Sequence, residues 1–587
     1  MTFSLATFRA GILLLMMCWG NALLAQLPEP PRQRLPGDSA DSAAPTPSAV
    51  LNFQEIQLGR SETLPLWLGD RGNLSLSAYR GMPPGFFSFS YGGLSFDHPA
   101  WGFWDEQWLP VYAGESLTRS GNRARVLTPE KIGKRTLSRI FYSEDYATNL
   151  ALLDVTVRQP LGKGRFAELS GANFTAGGSV NQDLTGHQFN PYRVMVSWPL
   201  GEKWDSRFFY WQVRHRYNIP QSLTGFTADH FKTVNHRLWA RLRGALSERD
   251  TLEIVPAFTD QTDKYTAISA ILRENRYRYG EVHLDYFHAL GQNRLGMRGD
   301  ARITRQTARR AWNDKTESDG SLRLYTARNK GRISWEGEAG AYLNSSASIA
   351  PGARVLAGMS LSSATRLEFL GEHRPRAVPL LWRTVSGDSI TPFTGDVWMT
   401  HRQGSVSLIQ DLWGERLEMR LGAFWNRAAG YPVWQPGSRS WLRNTIENRG
   451  LQLKTRLAVS HFRLSNDFSY NADYQEAFAP EINNITEVGV RVPLFKGALF
   501  LEGLASWHYL GYYRVVAFNR FLMQYSPGLE PDRGPYYLAD ARVQLSVNQV
   551  IISFVFENLL SEDVEIVKGT DDTLRIFRFG VDWILFD

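Results

Sequence analysis

The feature that most constrains the fold is a two-residue alternation of apolar and polar side chains, which recurs in short segments from about residue 134 to the end. The last segment is the clearest example. Its apolar face consists of Phe577, Phe579, Val581, Trp583 and Leu585. A period of two predicts a β-strand with one apolar and one polar face. An edge strand of a soluble β-sandwich would show the same alternation. The lengths of the connections between strands must therefore distinguish a sandwich from other β-folds.

The connections between these segments fall into two length classes. Short turns join neighbouring segments in pairs and are predicted at 162–164, 201–203, 247–250, 291–293, 329–331, 362–365, 414–415, 460–461, 496–497 and 548–549. Longer polar connections are predicted at 308–320, 374–402, 428–449 and 511–535. Short turns on one side and long loops on the other are typical of bacterial outer-membrane β-barrels, where the apolar strand face meets lipid. A soluble sandwich does not explain this asymmetry.

The number of short turns gives an estimate of the number of strands in the barrel. Ten turns join 20 strands, and the C-terminal strand adds one more. A barrel with both ends on one side of the membrane needs an even number, so we place a first strand at 134–143. The predicted fold class is therefore all-β, with a large transmembrane antiparallel β-barrel of about 22 strands that follows a small plug-like unit.

The N-terminal region predicts export. Residues 1–25 carry a single basic residue and a long apolar run, which is typical of a secretory signal peptide cleaved after Ala25. The only cysteine, Cys18, lies in this segment, and a lipoprotein acceptor is the alternative interpretation of it. Residues 26–50 are rich in Pro, Ser and Ala and predict a flexible periplasmic tether. Residues 51–133 form the small glycine- and aromatic-rich unit, and residues 134–587 form the barrel.

Composition argues against several classes of function. Without Cys18 the chain has no thiol for a disulfide, a nucleophile or a metal site. The formal net charge of +7 is spread over 587 residues without a basic block, which argues against nucleic-acid binding. We find no zinc-protease, phosphate-loop, nucleophile-elbow or dinucleotide motif, and the 11 histidines lack metal-ligand spacing. We therefore expect no enzyme activity, no cofactor and no metal.

Three segments of the small unit resemble the plug of TonB-dependent outer-membrane receptors. They read LSLSAYRG (74–81), FSFSYGGLSFDHPAWG (87–102) and WLPVYAGESLTRSG (108–121). The positions that match the family's pattern are Arg80, Gly81, Gly92, Gly93, Asp97, Pro99 and Pro110. The C-terminal stretch 556–587, which begins FENLLSEDVEIVKG, also resembles the ending of that family.

The resemblance implies a plug inside the barrel and uptake of a bound solute, with a TonB-like energising protein as a partner. The family's GPxSALYG segment does not follow Val111, and only residues 49–57 resemble the segment to which a TonB-like protein would bind. The resemblance therefore implies a transporter with a short plug and an unknown solute. Two alternatives are a passive porin-type channel and a non-transporting surface receptor or adhesin.

The polar strand faces predict a charged lumen. By strand phase the arginines expected to point inward are Arg193, Arg214, Arg216, Arg241, Arg416, Arg420, Arg456, Arg463, Arg491 and Arg542. Carboxylates fall on the same faces, so one interpretation is a wall of salt bridges. The other interpretation is a net basic lumen that favours anionic solutes.

Aromatic residues predict contacts with the surroundings of the barrel. The segment YPVWQPGSRSW, with Tyr431, Trp434 and Trp441, is expected to lie in a long external loop where ligand recognition is common. The terminal aromatic residues Phe577, Phe579, Trp583 and Phe586 are expected to carry the signal for the barrel assembly machinery. The other expected partner is outer-membrane lipid, and the expected location is the bacterial outer membrane.

Overall fold

A computed structural model describes most of the chain from residue 60 onward. The described residues are 60–67, 74–96, 98, 100–108, 116–128, 135–145, 150–176, 187–218, 230–267, 270–308, 313–328, 332–345, 348–385, 390–414, 416–435, 438–519, 521–528, 530–570 and 575–586. Several predicted features lie outside the described residues: the signal peptide, the tether, residues 49–57, Asp97, Pro99 and Pro110. Among the described residues no helix is long and apolar enough to cross a membrane.

Six short strands open the described part of the chain. They are β1 (Thr63–Trp67), β2 (Ser75–Tyr79), β3 (Ser88–Tyr91), β4 (Leu94–Ser95), β5 (Ser116–Ser120) and β6 (Arg123–Leu127). Strands β1 and β2 form a two-stranded sheet, whereas the other four form a sheet in the order β4-β3-β6-β5. Strands β3 and β6 are parallel, and a 3-10 turn at Glu106–Trp108 lies between the two halves of that sheet in sequence.

Twenty-two later strands form one closed antiparallel barrel. They are β7 (Leu137–Asp145), β8 (Leu150–Gly162), β9 (Arg165–Ala176), β10 (His187–Ser197), β11 (Trp204–Asn218), β12 (His230–Ala245), β13 (Asp250–Ala267), β14 (Ala270–Leu290), β15 (Asn293–Ala308), β16 (Lys315–Arg328), β17 (Ile333–Asn344), β18 (Ile349–Ser360), β19 (Thr365–Ala377), β20 (Trp398–Leu412), β21 (Leu417–Gln435), β22 (Ser440–Val459), β23 (Phe462–Asn471), β24 (Ile482–Leu494), β25 (Leu499–Leu510), β28 (Tyr536–Val547), β29 (Val550–Glu557) and β30 (Ile576–Phe586).

The barrel closes between its first and last strands, as predicted. Strand β30 pairs with β7, and Trp583 lies opposite Ile140 in their register. The predicted first strand at 134–143 is therefore confirmed, with an observed span of Leu137–Asp145. The predicted class, an all-β chain with a 22-strand antiparallel barrel, is confirmed as well.

The short turns lie where they were predicted, apart from 329–331, which falls outside the described residues. Two long connections, however, were predicted too long. Residues 315–320 belong to β16, and residues 428–449 belong mostly to β21 and β22, which are joined by a connection at 436–439. Backbone pairing continues at the ends of these strands, although the side chains there no longer alternate between apolar and polar. Periodicity therefore ends before the strand does, and a prediction from periodicity places the loop boundaries too early.

The barrel surface has the polarity expected for a lipid-facing wall. Large apolar side chains are exposed on its outside, for example Leu169, Leu238, Ile303, Leu324 and Val355. Charged and amide side chains are buried on its inside. The small β-sheet unit explains this burial, because it lies in the lumen and contacts the wall on several sides.

Two further pieces of structure lie at the end of the barrel opposite the short turns. One is the short helix α1 (Leu380–Thr384), and the other is a hairpin of β26 (Ala517–Asn519) and β27 (Gln524–Ser526). Together we call them the outer cap. The Trp382 indole N–H donates to the Leu522 carbonyl at 2.7 Å, which joins the helix to the hairpin segment.

Candidate functional site

The unit formed by β1–β6, which we call the lumen unit, contacts the barrel wall through three different kinds of surface. The first is aromatic. Tyr91 at the end of β3 packs edge-on against Phe209, Trp211 and Trp239, with ring centroids 5.7–6.1 Å apart. Burial of its side chain raises the pKa of Tyr91 to about 12. This surface excludes water and anchors the lumen unit to β11 and β12.

Gly92 shows how closely the lumen unit approaches that aromatic wall. Its φ of +57° lies in the left-handed region, and a Cβ built there would be 3.0 Å from the Phe209 ring. The tight β3–β4 turn therefore requires a glycine for both its backbone conformation and its lack of a side chain. Gly93 follows with a φ of +86° and lies near Glu253 and Val255. Both positions carried the resemblance to a plug.

The second surface is a polar network between β1, β2 and wall strands β22–β24. Arg80 donates to the Gln452 side chain at 3.0 Å, and the Asn448 amide donates to the Arg80 carbonyl at 2.9 Å. Lys454 lies 3.4 Å from Glu62 and 3.1 Å from Asp467. Hydrogen bonds between side chains and backbone thus hold this edge of the lumen unit.

Gly81 lies at the centre of this network. Its φ is +78°, and a Cβ there would be 2.7 Å from the Asn448 amide nitrogen. Its carbonyl accepts a hydrogen bond from the Phe478 N–H at 2.9 Å. In the Arg-Gly pair at 80–81, Arg80 therefore contributes its charged side chain to the network and Gly81 contributes its left-handed backbone conformation.

The third surface is a cavity of about 690 Å³ between the lumen unit and wall strands β13–β19. Ser88, Ser90 and Arg125 line it from the lumen unit. Across the cavity the wall contributes ion pairs, such as Arg302 with Asp319 at 2.9 Å. Burial, followed by repulsion from Arg241, lowers the pKa of Arg125 below its ordinary value. This surface is therefore polar and leaves open space.

His98 lies at the edge of the cavity and is held neutral. Its Nδ1 accepts hydrogen bonds from the Ala100 and Trp101 N–H groups, both at 3.1 Å. Burial lowers the pKa of His98 to about 3, and the positive charge of Arg237 adds to that effect. The ring also stacks on Trp101, with centroids 4.6 Å apart. Among the described residues no cluster of His, Cys, Asp and Glu could hold a metal ion.

The outer cap covers the lumen unit at the loop end of the barrel. The Leu381 N–H donates to the Ala100 carbonyl at 3.0 Å, and the Tyr431 hydroxyl donates to the Tyr525 carbonyl at 2.8 Å. Arg383 pairs with Glu317 of the wall at 2.5 Å. These contacts tie α1 and the β26–β27 hairpin to both the lumen unit and the wall.

Of the first four predicted lumen arginines, two face the lumen and two face outward. Arg193 and Arg241 face the lumen and pair with Glu168 and Glu253, both at 3.0 Å. Arg214 and Arg216 were predicted wrongly, because they share the outward face of β11 with the exposed Phe208. The reason is that β11 packs Trp211, Val213 and His215 inward against the lumen unit, so the apolar face of this strand points inward.

The remaining predicted arginines divide in the same way. Arg416 was predicted wrongly, since it lies in the turn before β21. Arg420 faces the lumen and pairs with Glu368 at 3.0 Å. The others fall on the lumen side of the strand alternation, and they are Arg456, Arg463, Arg491 and Arg542. Among these, Arg463 pairs with Glu502 and Arg491 lies over the Phe500 ring.

The predicted external loop contacts lie on strands instead. Tyr431 and Trp434 belong to β21, and Trp441 belongs to β22. Tyr431 and Trp434 are buried, and their contacts are with the outer cap. The prediction of a loop was wrong because tryptophan and proline in this segment end the apolar alternation while the backbone remains paired. A role in ligand binding stays a prediction.

The terminal strand has the predicted orientation. Phe577 and Trp583 are exposed on the outside of the barrel, and the side chain of Phe586 lies outside the described residues. The function of this strand as an assembly signal stays a prediction.

Sequence reasoning missed the outer cap and the contacts of two histidines. The only signal for the cap is the apolar group Leu380, Leu381 and Trp382 inside a predicted polar loop. His215 contacts Asp105 of the lumen unit, and His401 contacts Asn122. Nothing in their local sequence distinguishes these histidines from ordinary strand residues.

Fold and lumen unit together define a β-barrel of 22 strands whose lumen is occupied by its own N-terminal unit. Solved structures named as an iron transporter and as a siderophore receptor share this fold, which confirms the barrel fold that the sequence resemblance implies. No model of a known protein family matches the chain, and no curated protein matches its sequence.

Three of these neighbours show how far the likeness extends. The FrpB iron transporter from Neisseria meningitidis has a TM-score of 0.73 and 10% identity, covering 92% of this chain and 97% of that one. The siderophore receptor PirA from Acinetobacter baumannii has a TM-score of 0.72 and 11% identity, covering 92% and 96%. A mutant ferric enterobactin receptor, PfeA from Pseudomonas aeruginosa, has a TM-score of 0.70 and 11% identity, covering 91% and 97%. At such identities the likeness shows the fold.

Proposed function

We propose that this protein imports a solute across the bacterial outer membrane through a barrel closed by its own plug. One observation carries the proposal: residues 60–128, as far as they are described, lie in the lumen and contact the wall through aromatic, hydrogen-bonded and charged surfaces. A barrel that served only as a scaffold for surface loops would not need such a unit. The three neighbours, named as a transporter and receptors of iron compounds, support transport as the function.

The transport step would need movement of the plug without covalent chemistry. A solute can drive such a movement only if it binds the two states with different affinity. The signal peptide, the tether and the division at residues 50 and 133 remain predictions, and within them the tether would connect the plug to a TonB-like periplasmic protein. The polar surface on β22–β24 and the open cavity on β13–β19 offer less apolar contact than the aromatic surface, so we expect movement to begin there.

A passive porin-type channel is the second candidate. The observation that favours it is the cavity of about 690 Å³ that separates the lumen unit from wall strands β13–β19. In a porin this space would be permanently open at both ends.

Conductance in planar bilayers tests the proposal. We expect intact protein to give small or no steady current, and a variant lacking residues 60–128 to give a large one. A large steady current from intact protein would favour the porin instead. Binding of a TonB-like protein to a peptide of residues 26–58 tests energy coupling, and its absence would leave a plugged barrel without the proposed drive.

A further inference from the structure

The outside of the barrel carries a cluster of cations on β11–β15, in the half of these strands that is nearest the long loops. Each cation is an even number of residues from an exposed apolar residue of its own strand, such as Phe208, Leu238 or Ile303, and therefore points outward. We call this cluster the outer cationic face, and it is defined by Arg214, Lys232, Lys264, Arg276, Arg278 and Arg305. The face points away from the lumen unit and from the cavity.

The outer cationic face begins where the apolar band of the barrel ends. On β15 the exposed apolar residues extend from Leu295 to Ile303, and Arg305 follows two positions later. This stretch of strand measures about 26 Å, which covers most of an apolar band of about 25 Å once the strand tilt is included. On β13, Lys264 likewise lies beyond the exposed Phe258. The cations are therefore at the level of lipid headgroups.

The cluster is confined to one arc of the barrel. Within the described residues, the corresponding halves of β7–β10, of β16–β19 and of the barrel strands from β23 onward present no Lys or Arg on their outward faces. Outward arginines recur on β20–β22, but there Arg449 pairs with Asp473 at 2.8 Å and Arg443 lies 3.8 Å from Asp396. Contact with headgroups in general would spread cations around the barrel, so this arc needs a local explanation.

Two carboxylates on the outer cationic face are already engaged. Asp260 is shared by Arg276 at 2.5 Å and Arg278 at 3.5 Å. Glu274 lies 3.1 Å from Lys264. These carboxylates neutralise part of the charge on β13 and β14.

The remaining cations of the face keep their charge. In the described part of the chain, Arg214, Lys232 and Arg305 are exposed and form no ion pair with a carboxylate. The third carboxylate on this side is Asp314, before β16, and it accepts a hydrogen bond from the Ala308 N–H at 2.8 Å. Six cations therefore stand against three carboxylates, and the face has a net positive charge.

Cross-strand pairing places like charges of this face directly opposite each other. Lys232 is opposite Lys264 on one side and Arg216 on the other, and Arg278 is opposite Arg305. Like charges in opposed positions destabilise a sheet. An anion bound between them would relieve the repulsion, and arginine suits phosphate because its planar guanidinium can bind two phosphate oxygens together.

We propose that the outer cationic face binds a phosphorylated lipid of the surrounding leaflet through the phosphates of its headgroup. The apolar band directly beside the face would contact the acyl chains, which a soluble anion lacks. Each Lys or Arg near an anionic lipid surface contributes roughly fivefold in affinity. The inference goes beyond the proposed function, because it assigns a lipid partner to a surface outside the lumen.

Lipid binding to purified full-length protein tests the proposal. Native mass spectrometry from a neutral detergent would count the bound molecules of lipid A, a bis-phosphorylated glucosamine lipid. The same lipid without its phosphates is the control for the acyl chains, and inorganic phosphate is the control for a free anion. We expect lipid A to bind at least about tenfold more tightly than its dephosphorylated form, without competition from millimolar inorganic phosphate.

Two triple variants with the same change in net charge locate the binding site. The test variant combines Arg214→Gln, Lys232→Gln and Arg305→Gln. The control variant changes three exposed cations of the short turns, at the other end of the barrel, and combines Lys163→Gln, Lys203→Gln and Arg249→Gln. We expect the test variant to bind lipid A at least about tenfold more weakly and the control variant to change less than about twofold.

Four results would overturn the proposal. Equal losses in the two triple variants would mean that only the net charge matters. Equal binding of the two lipids would mean that the acyl chains suffice, and displacement by inorganic phosphate would assign the face to a free anion. Binding of polyglutamate in place of lipid A would assign it to an acidic protein. Lipid binding needs no import, so a failure of the proposed import alone would leave these results unchanged.

Discussion

The lumen unit meets the barrel wall in two contrasting ways on neighbouring arcs. Against β11 and β12 it presents Tyr91, which is enclosed by three aromatic rings. Against β13–β19 it presents serines and arginines across a cavity of about 690 Å³. One arc is dry and closely packed, whereas the other is charged and open.

The two arcs therefore differ in what they contribute: the aromatic arc fixes the lumen unit to the wall, whereas the charged arc leaves space beside it. Aromatic contacts stabilise by area and by ring geometry, and they lose that stabilisation when the surfaces separate by even a small distance. Charged groups lining a wet space can exchange a protein partner for water or a solute at much lower cost. We therefore expect the aromatic arc to fix the lumen unit and the charged arc to tolerate substitution.

Removal of Tyr91 should produce the largest effect. In Tyr91→Ala we expect the lumen unit to lose about 3–5 kcal/mol of stability, because truncating a buried aromatic residue leaves a cavity. Limited proteolysis should then cut residues 60–128 while the barrel stays intact. Tyr91→Phe is the control, because the Tyr91 hydroxyl has no hydrogen-bond partner among the described residues.

Tyr342→Ala is the matched change on the charged arc. Tyr342 lines the cavity and is half-buried, so its truncation only enlarges an existing space. We expect a loss under about 1 kcal/mol, within the range for sites away from close packing. Equal losses for the two tyrosines would remove the distinction between the arcs.

Substitution of Gly92 should come next in size. Gly92→Val combines a β-branched residue at positive φ with a methyl group pressed against Phe209, and we expect a cost of about 2–4 kcal/mol. Gly201→Val is the control, because Gly201 also has a positive φ of +73° but no neighbour within 4 Å of its Cβ position. Thermal unfolding of both variants would separate backbone strain from crowding. A smaller loss at Gly92 than at Gly201 would show that the aromatic arc can move aside.

The barrel could be predicted from sequence because its signals are local. Alternation within each strand and the ten short turns lie within a few residues of one another, and together they determine the strand number and the closure by Leu137–Asp145. The long connections could not be bounded in the same way. Strand pairing between β21 and β22 continues as far as Gln435 and Ser440. The side chains there no longer alternate between apolar and polar, so the sequence pattern does not show that the strands continue.

The site could be predicted only in part because its contacts are distant in sequence. The glycines at 81 and 92 were found through the resemblance of their segments to a receptor plug. The inward packing of β11 depends on the lumen unit, which lies about a hundred residues earlier in the chain, and strand phase alone therefore assigned Arg214 and Arg216 to the wrong face. The cap helix likewise depends on a partner at Leu522, which no pattern around Trp382 reveals.

Acidification should weaken the lumen unit through His98. The pKa of this buried histidine is lowered to about 3, below the ordinary value of about 6.5 for the unfolded chain. The stabilising neutral form is therefore fully present above pH 6.5, and stability falls as the pH drops towards 3. Between pH 7 and 5 we expect a loss of about 2 kcal/mol.

The pH dependence of proteolysis of residues 60–128 measures this loss. His98→Gln retains an acceptor for the Ala100 and Trp101 N–H groups but does not titrate, so it should flatten the pH profile over that interval. An unchanged profile in His98→Gln would assign the acid sensitivity to other groups. Tyr91 itself should not contribute to the profile in this range, because burial raises its pKa to about 12.

The smallest effect should come from an exposed ion pair of the barrel. Arg463 pairs with Glu502 and is 47% exposed, so Arg463→Gln should cost between about 0 and 1 kcal/mol in urea unfolding. Arg193, which is 3% exposed and pairs with Glu168, offers the buried counterpart. Arg193→Gln should cost about 1.5–3 kcal/mol, because the buried Glu168 carboxylate loses one of its two arginine partners and keeps only Arg158 at 2.7 Å. Similar costs for the two arginines would mean that water does not reach the lumen beside Arg463. The open part of the lumen would then be confined to the charged arc.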